Sequence, residues 1–460
     1  MAGSHSRSTI IYQSLHGDVV LVDIPTSIAT AQDRSDTLLS TLPLEAPIEI
    51  IDYRPPKTNK AEAKSAQYAP DFVHHEEYRT LIEQALAEIR SHVPGSWCAA
   101  RKLLTQQANE DGSPEMKDHD PKEELDSRLR QWSAWTKGKG GDATSDLQSM
   151  MASLGATSEY DTPTVPAVTQ TWVMSYVPAR ESTNCVNLPE DVPMGEEPSD
   201  PWTSTLHNPE DYPLKLTISE TRSGCSLQEP EYCFTIPPRS TLFLSDSTHS
   251  DAFRTSFRQL TDDYNLPRHF DLVLLDPPWP NRSAKRKGGY EQIGGMPYMK
   301  RMLLKMDIDS YLEHNALVGV WITNKASVRK HVLGPGGLFE RWNVGLVEEW
   351  LWIKTTTRGE PMFNIDDGLR KPYEILLLGR AAPNSWTTME HSPSIKRRVI
   401  AAVPDLHSRK PCLKELLTPY MPDAKDYSAL EVFSRYLVSG WTSWGNEVLK
   451  FNSDEYWAAE

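Results

Sequence analysis

Residues 270–279 are Phe-Asp-Leu-Val-Leu-Leu-Asp-Pro-Pro-Trp, a short apolar run followed by an acid, two prolines and a tryptophan. A nearly continuous apolar run of this length predicts a strand that is covered on both faces, as in a parallel sheet. Asp276 then lies at the carboxyl-terminal tip of the strand. Open α/β sheets bind their ligands at this edge, so the run predicts both the fold class and the position of the site.

The tetrapeptide Asp276-Pro277-Pro278-Trp279 offers three kinds of contact to a flat heteroaromatic ligand. The prolines lack backbone donors and favour an extended chain, so we expect the carbonyl of Pro277 to stay free for a hydrogen bond from outside the protein. Asp276 adds a second acceptor and Trp279 an aromatic face. Together they complement an exocyclic amino group, which has two N–H donors on a stacking ring. The alternative is a strand-ending turn with Trp279 in the core.

An amino group on adenine is a poor nucleophile because its lone pair is delocalised into the ring. Hydrogen bonds from its two N–H groups to Asp276 and to the Pro277 carbonyl would localise that lone pair. A methyl donor such as S-adenosylmethionine then has only to be held in line, so the protein supplies orientation and electrostatics. The tetrapeptide therefore predicts methyl transfer to the amino group of a base.

The charge of the chain is unevenly distributed. Its 460 residues carry a formal net charge of −15, which excludes a protein that coats nucleic acid with a basic surface. The segment after the tetrapeptide is nevertheless basic: it contains Arg282, Lys285, Arg286, Lys287, Lys300, Arg301 and Lys305. We predict phosphate contacts here, and foremost by Lys285, Arg286 and Lys287. The alternative is a solvated loop and helix face.

The five cysteines are scattered, without a Cys-x-x-Cys pair or histidines at zinc-finger spacing. This pattern argues against a metal site and a disulfide framework, and it predicts a reducing compartment. No apolar stretch approaches the length of a membrane span, and Met1 to Thr9 lacks a signal-peptide core. We expect an intracellular protein, in the nucleus or the cytoplasm, that contacts no membrane and holds no metal.

The pattern of residues predicts four regions. Residues 1–105 form an N-terminal α+β accessory region, with a hairpin around Gly17 and a helix over Tyr78 to Arg90. Residues 106–164 are a polar linker, largely disordered. Residues 165–235 contain accessory strands and an acidic, proline-rich loop over residues 189–213. Residues 236–460 alternate short apolar runs with helical patterns, which predicts a doubly wound, Rossmann-like α/β sheet.

Residues from about 240 to 457 resemble the eukaryotic N6-adenine methyltransferase family that includes the catalytic subunit of the mRNA adenosine methyltransferase, and within it the branch of methyltransferase-like protein 4. The resemblance rests on ordered motifs. They are Leu244-Ser245-Asp246, the Asp276 tetrapeptide, Asn281 to Arg286, Met296-Pro297-Tyr298, Trp352 to Thr355, Lys371 to Glu374, His407 to Pro411, Glu431 to Arg435, Gly440-Trp441 and Trp444 to Glu447.

The resemblance implies roles for single residues. The tetrapeptide holds the target adenine, Tyr298 lies on a neighbouring gate loop, and Glu374 orders the pocket. S-adenosylmethionine is contacted by Asp246 at its methionine or adenine end, by Lys410 and Arg435 near its polar ends, and by Asn446 at a ribose hydroxyl with Glu447 beside it. Four of these residues have a structural alternative: a surface ion pair for Arg435, a solvated helix start for Lys410, a turn for Asn446 and the capping of a neighbour for Glu374.

The chain also departs from the family pattern. The tandem zinc fingers of the mRNA enzyme are missing, and Gly440 to Glu447 stands where other methyltransferases have a glycine-rich loop. Glutamine methylation would ordinarily go with Asn in place of Asp276. Three hypotheses remain: methylation of adenine in RNA, with small nuclear RNA expected and the nucleus favoured; methylation of adenine in DNA; and a catalytically silent RNA-binding subunit. A protein partner is not identified, and a monomer is one option.

Overall fold

The computed structural model describes residues 9–49, 72–104, 170–178, 204–222, 231–248, 250–280, 295–367, 370–381, 395–407 and 409–459. The chain divides into two compact units. The first comprises residues 1–107, 267–432 and 458–460, and the second comprises residues 108–266 and 433–457.

The first unit is built on a large mixed sheet with helices packed against it. Its strands are β1 (Ile10–Gln13), β2 (Val19–Val22), β9 (Phe270–Leu275), β10 (Leu312–Ile322), β11 (Val344–Lys354), β12 (Tyr373–Ala381), β13 (Lys396–Ala402) and β14 (Ala429–Val432). They lie in the order β1-β2-β13-β11-β12-β10-β9-β14. Its helices are α1 (Ile24–Ala31), α2 (Phe72–His92), α4 (Gly295–Lys305), α5 (Ala326–Leu333), α6 (Leu338–Arg341) and α7 (Lys414–Leu417).

The direction of the strands brings several chain segments to one edge of this sheet. Strand β9 runs parallel to β10 and to β14, and β11 runs parallel to β13. Strand β12 is antiparallel to both β10 and β11, so it begins at the edge where β9, β10 and β11 end. This mostly parallel α/β sheet confirms the predicted fold class and is consistent with a Rossmann-like methyltransferase fold. The antiparallel strands β12 and β1 are the departures from an all-parallel sheet.

The N-terminal segment, of which residues 9–49 and 72–104 are described, contributes two strands to the same sheet. The predicted hairpin is present as β1 and β2, with Gly17 in the left-handed region at φ +69°, and β2 pairs in parallel with β13. Helix α1, which the pattern did not predict, begins at Asp23, whose side chain accepts from the backbone of Thr26. The boundaries of the four predicted regions stay a prediction.

Helix α2 contains the helical pattern noted over Tyr78 to Arg90 and extends beyond it at both ends. It packs against β2, β11 and β13 and buries Tyr78, Ile82 and Ile89. Apolar residues at helical spacing place these three side chains on one face of the helix. The segment is thereby attached to the sheet by an apolar interface.

The second unit contains two sets of strands. Strands β4 (Gln170–Pro178), β6 (Leu214–Arg222) and β7 (Glu231–Ile236) form an antiparallel sheet in the order β4-β6-β7. Strand β8 (Thr241–Leu244) pairs in parallel with β15 (Thr442–Gly445) and antiparallel with β5 (Ser204–His207). The prediction of a loop over residues 189–213 is wrong for Ser204–His207, because this short polar run pairs with β8 as strand β5. The predicted linker, residues 106–164, lies outside the described residues.

The core of the second unit is aromatic. Helix α3 (Ser250–Tyr264) packs Phe253 and Phe257 against Phe243 of β8. The ring of Trp444 stacks on Phe253 with their centroids 4.0 Å apart. In the described parts of both units, no three His, Cys, Asp or Glu side chains come together as a metal site. None of the described helices is long and apolar enough to cross a membrane.

Candidate active site

Asp276 lies at the tip of β9, as the apolar run predicts. Its backbone N–H donates to the carbonyl of Val432 at 3.3 Å, and its side chain is about a quarter exposed. The prediction that the Pro277 carbonyl is free is wrong, because the backbone N–H of Trp279 donates to it at 2.7 Å. This tight turn uses one acceptor position, and a carbonyl oxygen has a second lone pair. The tip therefore keeps two acceptors within two residues, Asp276 and Pro277.

The turn after Asp276 is fastened to the neighbouring strand. The indole N–H of Trp279 donates to the carbonyl of Trp321 at 2.7 Å, and the Trp279 side chain is buried. Lys325, at the start of α5, donates from Nζ to the carbonyl of Pro280 at 2.8 Å. These contacts hold the carboxyl-terminal half of the Pro277–Pro280 turn. Because the indole is buried, its role as a stacking face for a base stays a prediction.

Lys410 is bound to the carboxylate of Asp276. Its Nζ donates to both carboxylate oxygens at 3.0 Å and lies 5.3 Å from the ring centroid of Trp321. An ammonium bound to both oxygens holds the carboxylate in one orientation. The resemblance placed Lys410 near the cofactor, whereas the structure places it on the predicted catalytic acid.

Glu374 and Lys354 extend this contact into a row of alternating charges. Glu374 receives hydrogen bonds from Lys410 at 3.0 Å and from Lys354 at 2.7 Å. Burial alone would raise the pKa of Glu374, but the two ammonium groups outweigh it and hold this pKa below its ordinary value. We call the four side chains, Asp276, Lys410, Glu374 and Lys354, the charge row.

The topology explains why the charge row can form. Asp276 follows β9, Lys354 ends β11, and Glu374 starts the antiparallel β12 at the same edge. Lys354 was part of a recognised motif, but no role was assigned to it from the sequence. A pattern along one strand does not show which carboxylate a lysine meets. Its Nζ also lies 4.8 Å from the ring centroid of Trp352, which is buried as core.

The predicted substrate residues are only partly described. The prediction that Tyr298 lies on a loop is wrong, because the backbone there forms helix α4, and the Tyr298 side chain is 42% exposed. An exposed ring on the helix that follows the Asp276 tetrapeptide in sequence is available for contact with a ligand. Lys285, Arg286 and Lys287 lie outside the described residues, so their phosphate contacts stay a prediction. Glu374 is in the charge row.

The remaining predicted cofactor residues lie in the second unit, at the carboxyl ends of neighbouring strands. Asp246 follows β8, and its carboxylate accepts from the backbone of Thr248 at 2.9 Å. Asn446 and Glu447 follow β15, the parallel neighbour of β8. Arg435 donates from Nε to the carboxylate of Glu447 at 2.9 Å, and Glu447 is nearly buried.

Gly445 allows two chain segments to approach each other beside these residues. A Cβ at this position would lie 3.3 Å from the Cα of Phe433 and from the carbonyl oxygen of Ser434. Phe433 itself has a left-handed backbone at φ 63°, which turns the chain after β14. The structure thus brings Arg435 and Glu447 together. Asn446 lies between Gly445 and Glu447 in sequence. Their contacts with a cofactor stay predictions.

Most of the residues described in this site lie in a stretch of the chain that matches a known protein family. Residues 270–447 match the MT-A70 family model. The chain contains an MT-A70 domain. The matched range includes the tetrapeptide, the whole charge row and Arg435 to Glu447, and it excludes Asp246 and the N-terminal segment.

The chain is also similar to several curated proteins. The chain is 44% identical over 189 residues to the N6-methyladenosine RNA methyltransferase MTA1 of Cryphonectria parasitica, covering 41% of this chain and 54% of the relative. It is 34% identical over 232 residues to human N(6)-adenine-specific methyltransferase METTL4, covering 49% and 45%. It is 30% identical over 223 residues to a DNA N6-methyl methyltransferase of Caenorhabditis elegans, covering 48% and 54%. The chain thus spans about half the length of the curated relatives it matches.

Proposed function

We propose that the protein transfers a methyl group from S-adenosylmethionine to the exocyclic N6 amino group of adenine in RNA. The observation that carries this proposal is the Asp276 carboxylate at the tip of β9, bound through both oxygens by Lys410. It stands three residues before the aromatic side chain of Trp279 inside an MT-A70 domain. An acceptor that is oriented before the ligand arrives needs no reorganisation during the reaction.

The chain's own residues would act on the amino group in two ways. Asp276 accepts one N–H, since each carboxylate oxygen can accept further hydrogen bonds besides that from Lys410. Pro277 accepts the other N–H with the lone pair that Trp279 leaves unused. Both contacts draw the nitrogen toward tetrahedral geometry and concentrate its lone pair. When bound, S-adenosylmethionine would supply a methyl group on a sulfonium: a C–N bond would form as the methyl–sulfur bond breaks, the sulfur would leave as a neutral thioether, and the nitrogen would release one N–H proton to water.

The polar side chains of Asp246, Arg435, Asn446 and Glu447 in the second unit suit the functional groups of S-adenosylmethionine. The carboxylate of Asp246 suits an ammonium group, and the carboxamide of Asn446 suits a pair of ribose hydroxyls. Glu447 orients Arg435, whose guanidinium suits a carboxylate. These four residues are the ones we propose to hold S-adenosylmethionine.

RNA is proposed over DNA because relatives named for RNA match this chain more closely than the relative named for DNA. Two fungal relatives, from Cryphonectria parasitica and Pyricularia oryzae, are named N6-methyladenosine RNA methyltransferase and are 44% and 41% identical. The nematode relative named for DNA is 30% identical and makes DNA the second candidate. A catalytically silent subunit is a weaker candidate because the acceptor tip and its lysine are intact. Small nuclear RNA as the substrate and a nuclear location are part of the proposal.

The test is methyl transfer by the full chain to RNA and DNA oligonucleotides of the same sequence, each with and without adenine. Mass spectrometry of the digested product identifies N6-methyladenine. We expect it on RNA and not with Asp276→Ala. Product on DNA alone would replace the substrate class, and no product on either would contradict the enzymatic function.

A further inference from the structure

The N-terminal segment holds the loop that precedes Glu374. We call residues 355–372, between β11 and β12, the β11–β12 loop. The backbone N–H of Thr357 donates to the carbonyl of Leu44 at 2.8 Å, and its carbonyl accepts from the N–H of Trp97 at 3.0 Å. Farther along, the N–H of Ile48 donates to the carbonyl of Met362 at 2.8 Å. Two stretches of the N-terminal segment therefore pair with the loop's backbone.

Side chains of the N-terminal segment hold the tip of the same loop. Arg90, at the end of α2, donates from Nη2 to the carbonyl of Gly359 at 3.0 Å. Gly359 has a left-handed backbone at φ +79°, and a Cβ there would lie 2.3 Å from the Trp97 ring. Only glycine fits this close approach. The loop's path is thus determined by α2 and by Trp97.

The end of the loop meets α2 at His75, which is buried. The Nδ1 of His75 lies 2.9 Å from the hydroxyl of Tyr373, and its Nε2 lies 2.9 Å from the Nζ of Lys371. Asp366 lies farther from Nε2, at 3.3 Å. An ammonium can only donate, so Nε2 accepts from Lys371, and Nδ1 carries the proton that it donates to Tyr373. This assignment of the tautomer follows from the two shorter contacts.

Tyr373 connects this contact to the charge row. It precedes Glu374 in β12, and successive side chains of a strand point to opposite faces. The Tyr373 side chain is buried at α2, while Glu374 binds Lys354 and Lys410. The Tyr373 carbonyl accepts from the side chain of Asn324, which holds the backbone between the two side chains. A shift of Tyr373 therefore moves the Glu374 carboxylate.

We propose that His75 is a positioning residue for the candidate active site. Through Tyr373 it holds Glu374 where Glu374 can bind Lys410, and Lys410 in turn orients Asp276. The N-terminal segment, which lies outside the family match, thereby acts on the acceptor carboxylate within the same chain. This inference rests on the proposed function. A displacement of about 1 Å in a reacting group can lower the rate about 10²-fold. Loss of the His75–Tyr373 contact acts on Asp276 only through Glu374 and Lys410, so it should lower kcat less, by about 10-fold.

The test compares two substitutions that each remove one buried hydroxyl at α2. Tyr373→Phe removes the hydroxyl that contacts His75. Tyr78→Phe is the matched control: it removes the hydroxyl that donates to Glu349 at 2.9 Å and keeps the Tyr78 ring, which packs edge-on against Tyr373. Both should lower the melting temperature. Tyr373→Phe should also lower kcat about 10-fold with the KM for S-adenosylmethionine unchanged, whereas Tyr78→Phe should keep the parental kcat.

A third variant tests whether His75 acts through the hydroxyl. His75→Ala should lower kcat as Tyr373→Phe does, and the double variant should be no worse than His75→Ala alone, because both remove the same contact. Parental kcat in Tyr373→Phe, or equal losses in Tyr373→Phe and Tyr78→Phe, would overturn the inference.

Hydrogen exchange gives a readout that does not depend on activity. Amides of residues 370–376 should exchange faster in Tyr373→Phe than in Tyr78→Phe, since the start of β12 loses its attachment to His75. Equal exchange in the two variants would overturn the positioning role. If the parent transfers no methyl group to any oligonucleotide, the proposed function fails, and the exchange result still decides whether His75 positions this segment.

Discussion

Lys410→Ala separates the role that the resemblance implies for this lysine from the role that the structure indicates. In the structure its Nζ is 3.0 Å from carboxylate oxygens of both Asp276 and Glu374. Two oxygens bound to one ammonium at this distance are at most about 6 Å apart. Removing the ammonium therefore leaves two carboxylates facing each other without the cation between them.

The size of the effect follows from that distance. Two unit charges about 6 Å apart repel by about 3 kcal/mol at an effective dielectric constant of about 20. Both side chains are about a quarter exposed, so solvent screening reduces the repulsion to about 1–2 kcal/mol. Asp276 relieves it by turning away from Glu374, and this removes an oriented acceptor. We expect kcat to fall at least about 10-fold, because about 1.4 kcal/mol corresponds to a factor of ten.

The assay measures kcat by methyl transfer and the affinity for S-adenosylmethionine by calorimetry. The structure predicts a lower kcat with little change in cofactor affinity, and Lys410→Arg should retain part of the activity because it keeps the charge. The control adds Glu374→Gln to Lys410→Ala, since this removes the repulsion but keeps a side chain of the same size, and it should restore part of the lost kcat. If Lys410→Ala weakens cofactor binding as much as Asn446→Ala does and leaves kcat unchanged, Lys410 contacts the cofactor and the reasoning from the charge row is wrong.

Asp276→Ala should lower kcat about 10²- to 10³-fold with the fold intact by circular dichroism, because it removes a preorganised hydrogen-bond group; more than about a tenth of the parental activity would contradict the assigned role. Asn446→Ala should weaken S-adenosylmethionine binding more than RNA binding in calorimetry, and equal affinities in variant and parent would leave Asn446 as a turn residue. Burial alone would raise the pKa of Glu349, but Arg329 and Arg397 outweigh it and lower this pKa, so its stabilisation is present above the unfolded pKa and lost as pH falls through the folded one. The difference in melting temperature between parent and Glu349→Gln should therefore shrink in acid, and a difference independent of pH would refute this. Neutralising Lys285, Arg286 and Lys287 should weaken binding of all oligonucleotide sequences about equally and flatten the log–log salt dependence by about two to three units; an unchanged slope would show that the RNA is held elsewhere.

The central strands could be predicted from local patterns because both of their faces are covered. The apolar runs at 270–275, 317–322 and 347–353 lie within β9, β10 and β11. Once these runs are strands, Asp276 has to lie at a carboxyl-terminal tip. The pairing of β2 with β13 could not be predicted in this way, because it joins residues as far apart in sequence as Val19 and Val399. No local pattern indicates which strand a distant hairpin will join.

The candidate site was predictable as a set of residues but not as a set of contacts. Motifs identified Asp276, Lys410 and Glu374, while their mutual binding depends on β12 running antiparallel to β11. The Pro277 carbonyl was predicted to be free because prolines donate nothing. The prediction failed because the next donor, the N–H of Trp279, turns back onto that carbonyl. Side-chain and turn contacts of this kind are decided by tertiary packing.

The region that carries the family match is not by itself a complete structural unit. It contains Glu349, whose fully buried carboxylate is bound by Arg329 and Arg397 within the match and by Tyr78 outside it. Removing one partner of a buried charge leaves that charge exposed to solvent or buried without compensation, which is strongly destabilising. The match also begins after β2, the strand that covers the outer edge of β13. An uncovered strand edge invites pairing with other chains. The sheet that positions Asp276 therefore depends on N-terminal residues in three ways. They cover the edge of β13, they bind the buried Glu349 carboxylate, and they hold the β11–β12 loop that leads to Glu374.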